Sequence, residues 1–448
     1  MSPVAEETGL DRAAFERFVS TRPASEPAWL AELRQDAWKR FEAGGLPTTR
    51  DEDWRSTSLA PLTRTAFRRN ERAVPRVEAG ELAFLTFGHA FDGHLIVLVD
   101  GRYAPELSSL GGEPGVTIGS LKEALAADPA GVQDLLAATR GPAENAFGRL
   151  NAAFLEDGAV IRLADGVVVG DPVHVVHFAS GGAVPTLSHP RTLIQCGRQS
   201  RVTLVESYGG RDGAVYLTNA VTEAVLGEGA VFDHYKVQRE GSEAIHMSTL
   251  SVTQGRDSRF CSLSIALGGA LVRNDVRQVF AGPGGHCVLN GLFMASGRQH
   301  TDTHTWVDHA QPHCTTRELY KGILDGASHG VFVGKVLVRQ GANGTDAQQT
   351  NKNLLLSREA LVDSVPQLEI LADDVKCKHG STTGQLDPEA LFYLRSRGIG
   401  QEAAKSLLTY AFASDLVGRV QVAPIRRGLE EYLQERLPAV AEVREAVV

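Results

Sequence analysis

The sequence predicts a mainly β protein, a right-handed parallel β-helix core with N-terminal and C-terminal α-helical regions. Three observations carry this. A short glycine-led segment recurs along the middle of the chain. From about residue 82 to 385 the sequence is short runs of Val, Ile, Leu, Phe and Thr punctuated by glycine. Helical periodicity is confined to the two ends and one internal stretch. The expected organisation is an N-terminal helical region over 1–75, a β-helix core over 76–385 and a C-terminal helical module over 386–448.

In the first region Ser25 and Pro27 open a segment that places Leu30, Leu33, Ala37 and Phe41 on one helical face, and Gly44-Gly45 closes it. The core then contains a helix-like excursion near 119–156, marked by Leu121, Leu125, Leu135 and Leu136. The repeat follows. Gly197-Arg-Gln-Ser-Arg-Val-Thr-Leu is echoed from Gly227, Gly255 and Gly282, starts that lie 30, 28 and 27 residues apart. A fifth copy without the glycine is expected at His309. The fourth position is small (Ser200, Ala230, Ser258, Gly285) and the sixth apolar (Val202, Phe232, Phe260, Cys287, Cys314). A period of this length signals stacked units that bury a core only together. The unit holds strands and turns but no helix-length apolar pattern, which favours stacked β-coils over a helical solenoid. A sandwich is the alternative. Past residue 386 the period becomes 3.6. Asp387-Pro388 start a helix and Gly398 stops it. The next helix aligns Ala404, Leu407, Leu408, Ala411 and Phe412, and a third covers about 427–436.

Composition narrows the function. With 448 residues and 43% hydrophobic side chains the chain can bury a large core. Its 45 basic and 54 acidic residues give a net charge of −9, without the basic footprint of a nucleic-acid binder. Apolar runs such as Leu95–Val99 are far too short to span a membrane. The acidic first residues, Met-Ser-Pro-Val-Ala-Glu-Glu, predict no secretory leader. Five cysteines, widely spaced and without Cys-x-x-Cys, argue against a disulfide framework and for a cytoplasmic location.

Several enzyme motifs fail on context. Gly326-Ala-Ser328-His-Gly330 spells a nucleophile elbow, but a strand follows where that elbow needs a helix. Gly330-Val-Phe-Val-Gly334-Lys335-Val336 is one residue short of a P-loop and lacks the magnesium-binding hydroxyl. On a strand, His300, Asp302 and His304 share one face. They offer a nitrogen/oxygen set for a metal-dependent enzyme, against the blander reading of a solvated ladder on an outer coil face. Cys287 and Cys314 occupy equivalent repeat positions and are expected to stack in the core. Cys377-Lys378-His379 lies where the β-region hands over to helices. At strand spacing Cys377 and His379 point the same way, a thiolate and an imidazole together, with Lys376 and Lys378 favouring the thiolate. Two ligands cannot close a tetrahedral site, so a partner would have to complete any metal site.

Val365-Pro-Gln-Leu-Glu-Ile-Leu-Ala-Asp-Asp-Val-Lys-Cys-Lys-His-Gly-Ser-Thr-Thr-Gly-Gln-Leu-Asp, followed by Leu391-Phe-Tyr-Leu-Arg-Ser-Arg-Gly-Ile, resembles the SufB/SufD family of iron–sulfur cluster assembly scaffolds. Gly330-Val-Phe-Val-Gly-Lys, Thr345-Asp-Ala-Gln-Gln and Glu52-Asp-Trp54-Arg-Ser-Thr are similar to the same family, and the resemblance runs from about residue 50 to 420. The glycine after His379 and the run Gly384-Gln-Leu-Asp387 match the SufD branch. SufB-like chains carry more cysteines and an acidic residue there. Lys378 stands where a serine is expected. The resemblance implies a scaffold, not a turnover enzyme. Such a chain pairs with SufB and binds the ATPase SufC through its C-terminal helices, where Tyr393, Arg395, Arg397 and Ile399 are the candidate contacts. It further implies that Cys377 and His379 lie near the SufB interface as ligands for a nascent cluster. No cofactor is expected to be tightly bound to the isolated chain, and neither nucleic acid nor a membrane is an expected partner. Whether a reduced flavin joins the full complex, and whether the isolated chain forms a homodimer, stay open.

Overall fold

The structure, a computed structural model, describes residues 8–70, 75–89, 93–139 and 145–437. Successive strands alternate between two parallel sheets, and each pairs with the strand two places earlier, which makes a β-solenoid of about eight turns. One sheet runs from Gly158–Leu163 through Arg191–Cys196, Tyr216–Leu226, Ile245–Gln254, Leu271–Phe280, His300–His309 and His329–Val338 to Leu361–Ile370. The other runs from His94–Val99 through Val173–Ala179, Arg201–Gly210, Val231–Gln238, Arg259–Ala266, His286–Ala295, Thr315–Leu324 and Thr345–Leu355 to Val375–Gly384.

The sequence repeat is the turn and first strand of each coil. Its leading glycines are required because consecutive turns stack backbone on backbone. A Cβ at Gly227 would lie 2.9 Å from the Arg198 nitrogen, and one at Gly282 only 2.2 Å from the Arg256 nitrogen. The small fourth position is buried beneath this turn, and the Ser200 and Ser258 hydroxyls each donate to the carbonyl three residues back at 2.8 Å. The sixth positions stack in register, Val202 on Phe232 on Phe260 on Cys287. The fifth copy departs from the expected alignment. Thr316, not Cys314, pairs with Cys287. Cys314 instead follows Gly285 at the small fourth position, where Thr315 donates back to the Gly285 carbonyl. Strand His286–Ala295 has 10 residues where Arg259–Ala266 has 8, so the copy begins two residues later than a constant period puts it. Both cysteines are fully buried, as expected.

The lumen has two halves. Beside the repeat turns it is apolar, filled by Val202, Phe232, Phe260, Phe280 and Phe332 among others. Toward the opposite turns it is polar. Buried Glu206 accepts from His234 at 3.0 Å and from Thr222 at 2.9 Å. Buried Lys236 donates to Asn274 at 2.6 Å and to His246 at 2.8 Å. Burial lowers the Lys236 ammonium to about 8, against the attraction of Glu206 and Glu240.

Helices cover the outer faces. Arg12–Ser20, Ala28–Gly44 and Ala146–Ala153 bring Phe15, Trp38, Phe41 and Phe147 onto Leu217, Ile245, Met247 and Leu271 of the first sheet. Ala28–Gly44 buries Leu30, Ala37 and Phe41 of the expected stripe, and Gly45 (φ 68°) ends it. It also buries Arg34, which donates to the Leu155 carbonyl at 2.7 Å and ties this helix to the internal excursion. That excursion is three short helices among the described residues, Leu121–Ala127, Pro129–Thr139 and Ala146–Ala153. On the second sheet, Gln401–Val417 and Ala423–Arg436 pack Ala413, Leu416, Val417, Leu429 and Leu433 over Val237, Ile265, Leu292 and Ile323. The stripe expected on Gln401–Val417 is rotated. Ala404 is buried but Ala411 is exposed, because Thr409 and Ala413 face the sheet; Thr409 can do so because its hydroxyl bonds to the Lys405 carbonyl. Phe260→Ala removes the ring stacked on Phe232 at 5.5 Å. It should cost about 3–5 kcal/mol in urea unfolding, since the coils on either side hold the cavity open.

Candidate functional site at the open end of the solenoid

The sheets end together. Leu361–Ile370 and Val375–Gly384 are edge strands, each paired on one side only among the described residues. No described element stacks on this last coil, and large apolar groups lie at its surface: Leu361 (61% exposed) and Val365 on the outer face of their strand, Ile370 in the row that continues Val338, and Leu371 (57%) just beyond it. Cys377 and His379 sit on this coil, on the strand face that looks into the lumen. Cys377 packs partly against the apolar core beside Val375, and Ser381 on the same face reaches across to the Ser364 hydroxyl at 2.8 Å. His379 lies in the same alternating row and is exposed.

Burial, with the nearby Asp346 carboxylate, keeps the Cys377 thiol above its ordinary value. Lys376 and Lys378 do not produce the thiolate expected of them, because they project from the opposite strand face. Burial thus favours the thiol over the thiolate at Cys377. Among the described residues no group of three or more His, Cys, Asp or Glu side chains is arranged to hold an ion. The pair offers two donors, too few by themselves to close a tetrahedral metal site.

The other candidates lie elsewhere. His300, Asp302 and His304 do share a strand face, but it is no solvated ladder, because residues 53–57 pack over it. Asp302 is buried and pairs with Arg273 at 2.5 Å, accepts from Thr57 at 2.6 Å, and lies 3.1 Å from His304. Arg273 also stacks on Trp54 at 4.3 Å and donates to the Asp53 carbonyl. The carboxylate is thus committed to anchoring the N-terminal region. Burial alone would raise its pKa, but the guanidinium charge lowers it well below the usual range. Ser328 is fully buried in a turn, donating to the Ala295 carbonyl at 3.2 Å, and Gly330–Val336 lies within a strand. On Pro388–Ser396, which buries none of its residues, Tyr393 is exposed and carries the Arg397 guanidinium 5.2 Å above its ring. Arg395 is exposed beside them and Ile399 half-buried. Phe392, 72% exposed, adds an apolar group that sequence reading did not single out.

The structure is thus a β-solenoid whose last described coil carries Cys377 and His379 on one strand face and no further described strand beyond it. Comparison with known proteins gives the class to which such a chain belongs. Residues 177–412 match the core domain of the SufB/SufD proteins of the SUF iron–sulfur cluster assembly system, and residues 15–175 match the SufB/SufD N-terminal region. A SufBD-family iron–sulfur cluster assembly protein of Synechocystis is 32% identical over 91% of both chains. SufD of Escherichia coli is 31% identical over 89% of this chain and 90% of its own. SufD of Bacillus subtilis is 26% identical over 66% of this chain and 67% of its own. The chain belongs to the SufB/SufD family of iron–sulfur cluster assembly proteins. No described helix is long and apolar enough to cross a membrane.

Asp302→Ala takes one of two carboxylates from buried Arg273, leaving Asp275 at 3.0 Å, and should cost about 1.5–3 kcal/mol in urea unfolding at pH 7. Because the native carboxyl titrates below its unfolded value, its stabilisation is present above about pH 4 and is lost as pH falls toward the native value. The difference between variant and wild type should therefore shrink in urea titrations repeated at pH 3.

Proposed function

We propose that this chain is a SufD-type scaffold subunit. It pairs with SufB through the open coil, binds SufC through its C-terminal helices, and contributes to nascent cluster formation at the SufB junction. The observation that carries this reading is the uncapped end itself. Two parallel edges with free N–H and C=O groups, bordered by exposed Leu361, Val365 and Leu371, are a liability in a chain that works alone and a docking surface in one that does not. A related solenoid that continues the sheets there would bring its own ligands over Cys377 and His379. His379 is the better ligand of the two. An imidazole enters a mostly thiolate site as a replaceable donor, which suits a cluster that must leave, and His379 lies exposed at the mouth. Cys377 would relay sulfur or support the geometry, losing its proton as it does so. The cluster is cargo here.

The SufC surface rests on separate support. Pro388–Ser396 leaves Phe392, Tyr393, Arg395 and Arg397 outward, a group of aromatic and basic side chains of the type enriched at binding hot spots. Gln401–Val417 and Ala423–Arg436 cover the second sheet rather than an end of the solenoid, which leaves the first of the three helices free for a partner.

His379→Ala should leave folding and assembly with SufB and SufC unchanged while cluster accumulation on the purified complex falls at least several-fold, followed by visible absorbance and iron content. Wild-type accumulation in an intact complex would remove the ligand role. Replacing Phe392, Tyr393 and Arg397 together by alanine should weaken SufC binding tenfold or more in calorimetry and spare pairing with SufB. An unchanged SufC affinity would place that interface elsewhere.

A further inference from the structure

Below His379 the lumen holds a carboxyl group that the cluster chemistry does not use. In the parallel register Glu318 of Thr315–Leu324 lies under Gln349 of Thr345–Leu355, and Gln349 lies under His379. Two rungs of a sheet place Glu318 about 10 Å beneath the imidazole. Glu318 is 4% exposed and Gln349 2%. Gln349 Nε2 donates to Glu318 Oε2 at 2.8 Å, and the Thr305 hydroxyl, from the facing sheet, donates to the same oxygen at 3.1 Å. The other oxygen of each side chain, Glu318 Oε1 and Gln349 Oε1, is buried without a partner. Space for the Gln349 amide is kept by Gly334 across the lumen, where a Cβ would lie 2.2 Å from Gln349 Nε2.

No salt bridge involves Glu318 among the described residues, in contrast to Glu206, Glu240 and Asp302, each of which lies against a histidine or arginine. Its rung below is Leu289, and the titratable groups that feel its charge are Tyr320 on its own strand and Cys287 on the strand beneath, both held neutral by burial. Burial raises the Glu318 carboxyl to about 7 against its two hydrogen bonds. With both donors on Oε2, the proton of the neutral acid belongs on Oε1, the atom left without a partner.

We propose that Glu318 is a positioning residue for the open-end site, a buried acid that gains and loses one proton under His379 and so sets the charge this edge presents to a cationic ligand, with Gln349 as the intervening rung. The idea rests on the reading of Cys377 and His379 as the working edge. Its chemistry is a single proton exchanged with solvent. The ionised carboxylate attracts positive charge to the edge and the neutral acid does not. At this separation in the partly desolvated lumen the attraction amounts to roughly a tenfold preference.

The test uses the full-length chain alone, without partners or cluster, so it stands apart from the outcome of His379→Ala in cluster assembly. Infrared difference spectra against pH should show a protonated carboxyl band that disappears near neutral pH and is absent from Glu318→Gln. Cobalt(II) titrated into the chain at pH 8, where the carboxyl is ionised, should bind several-fold more weakly to Glu318→Gln than to the wild type, and the difference should vanish at pH 6. Should that variant not fold, linkage supplies the reciprocal measurement: saturating cobalt(II) must move the Glu318 carboxyl band of the wild-type chain to lower pH. A carboxyl that does not titrate near neutrality overturns the proposal. So does one that titrates there while cobalt(II) neither binds more weakly to Glu318→Gln nor shifts the band.

Discussion

Everything in this molecule depends on one constraint, the in-register parallel stacking of one coil on the next. Each backbone N–H and C=O in a coil is satisfied by its neighbours above and below, so identical turns must approach to van der Waals contact. Glycine at the head of the repeat, a small residue at its fourth place and an apolar residue at its sixth are what that contact demands. The same constraint places every inward side chain in a column, and a column can be apolar or polar along its whole length. The phenylalanines from Phe232 to Phe332 and the network of Glu206, Lys236 and His246 occupy neighbouring columns of one lumen.

A solenoid built this way has no natural end. At its start the helices around residues 121–153 cover the first coils, with Leu121, Leu125 and Leu135 packed on Val160 and Leu193. The outer faces of the sheets carry the N-terminal helices on one side and the C-terminal helices on the other. The last coil has no such cover among the described residues, and the unsatisfied edge, the exposed Leu361 and Leu371, and the Cys377 and His379 pair all follow from that one omission. Function in a scaffold of this kind resides in what its geometry leaves undone.

The polar interior also explains why two of the acidic clusters serve structure while another group is available for chemistry. Asp302 and Glu206 are each surrounded by positive or proton-donating partners that fix their charge. Glu318 has donors but no counter-charge among the described residues, and a low-dielectric lumen around it, so its charge is left to respond to its surroundings.

The sequence by itself determined the coil period, because glycines that must touch backbone cannot be replaced, and it determined the helix boundaries at Gly45, Asp387 and Gly398, because caps act within a few residues. It also supplied the pairing of Cys377 with His379, since alternation along a strand is local. Tertiary structure alone decided which face of each strand looks inward, and therefore that Asp302 lies under the N-terminal region instead of in solvent and that the Cys377 thiol is half-buried against the core. It also decided the true place of Cys314, because two extra residues in the strand His286–Ala295 shift the register without leaving a mark in the repeat. Glu318 was invisible for the same reason. Nothing near it in sequence distinguishes an inward glutamate from an outward one, and only the stacking of strands some 30 residues apart puts it beneath Gln349 and His379.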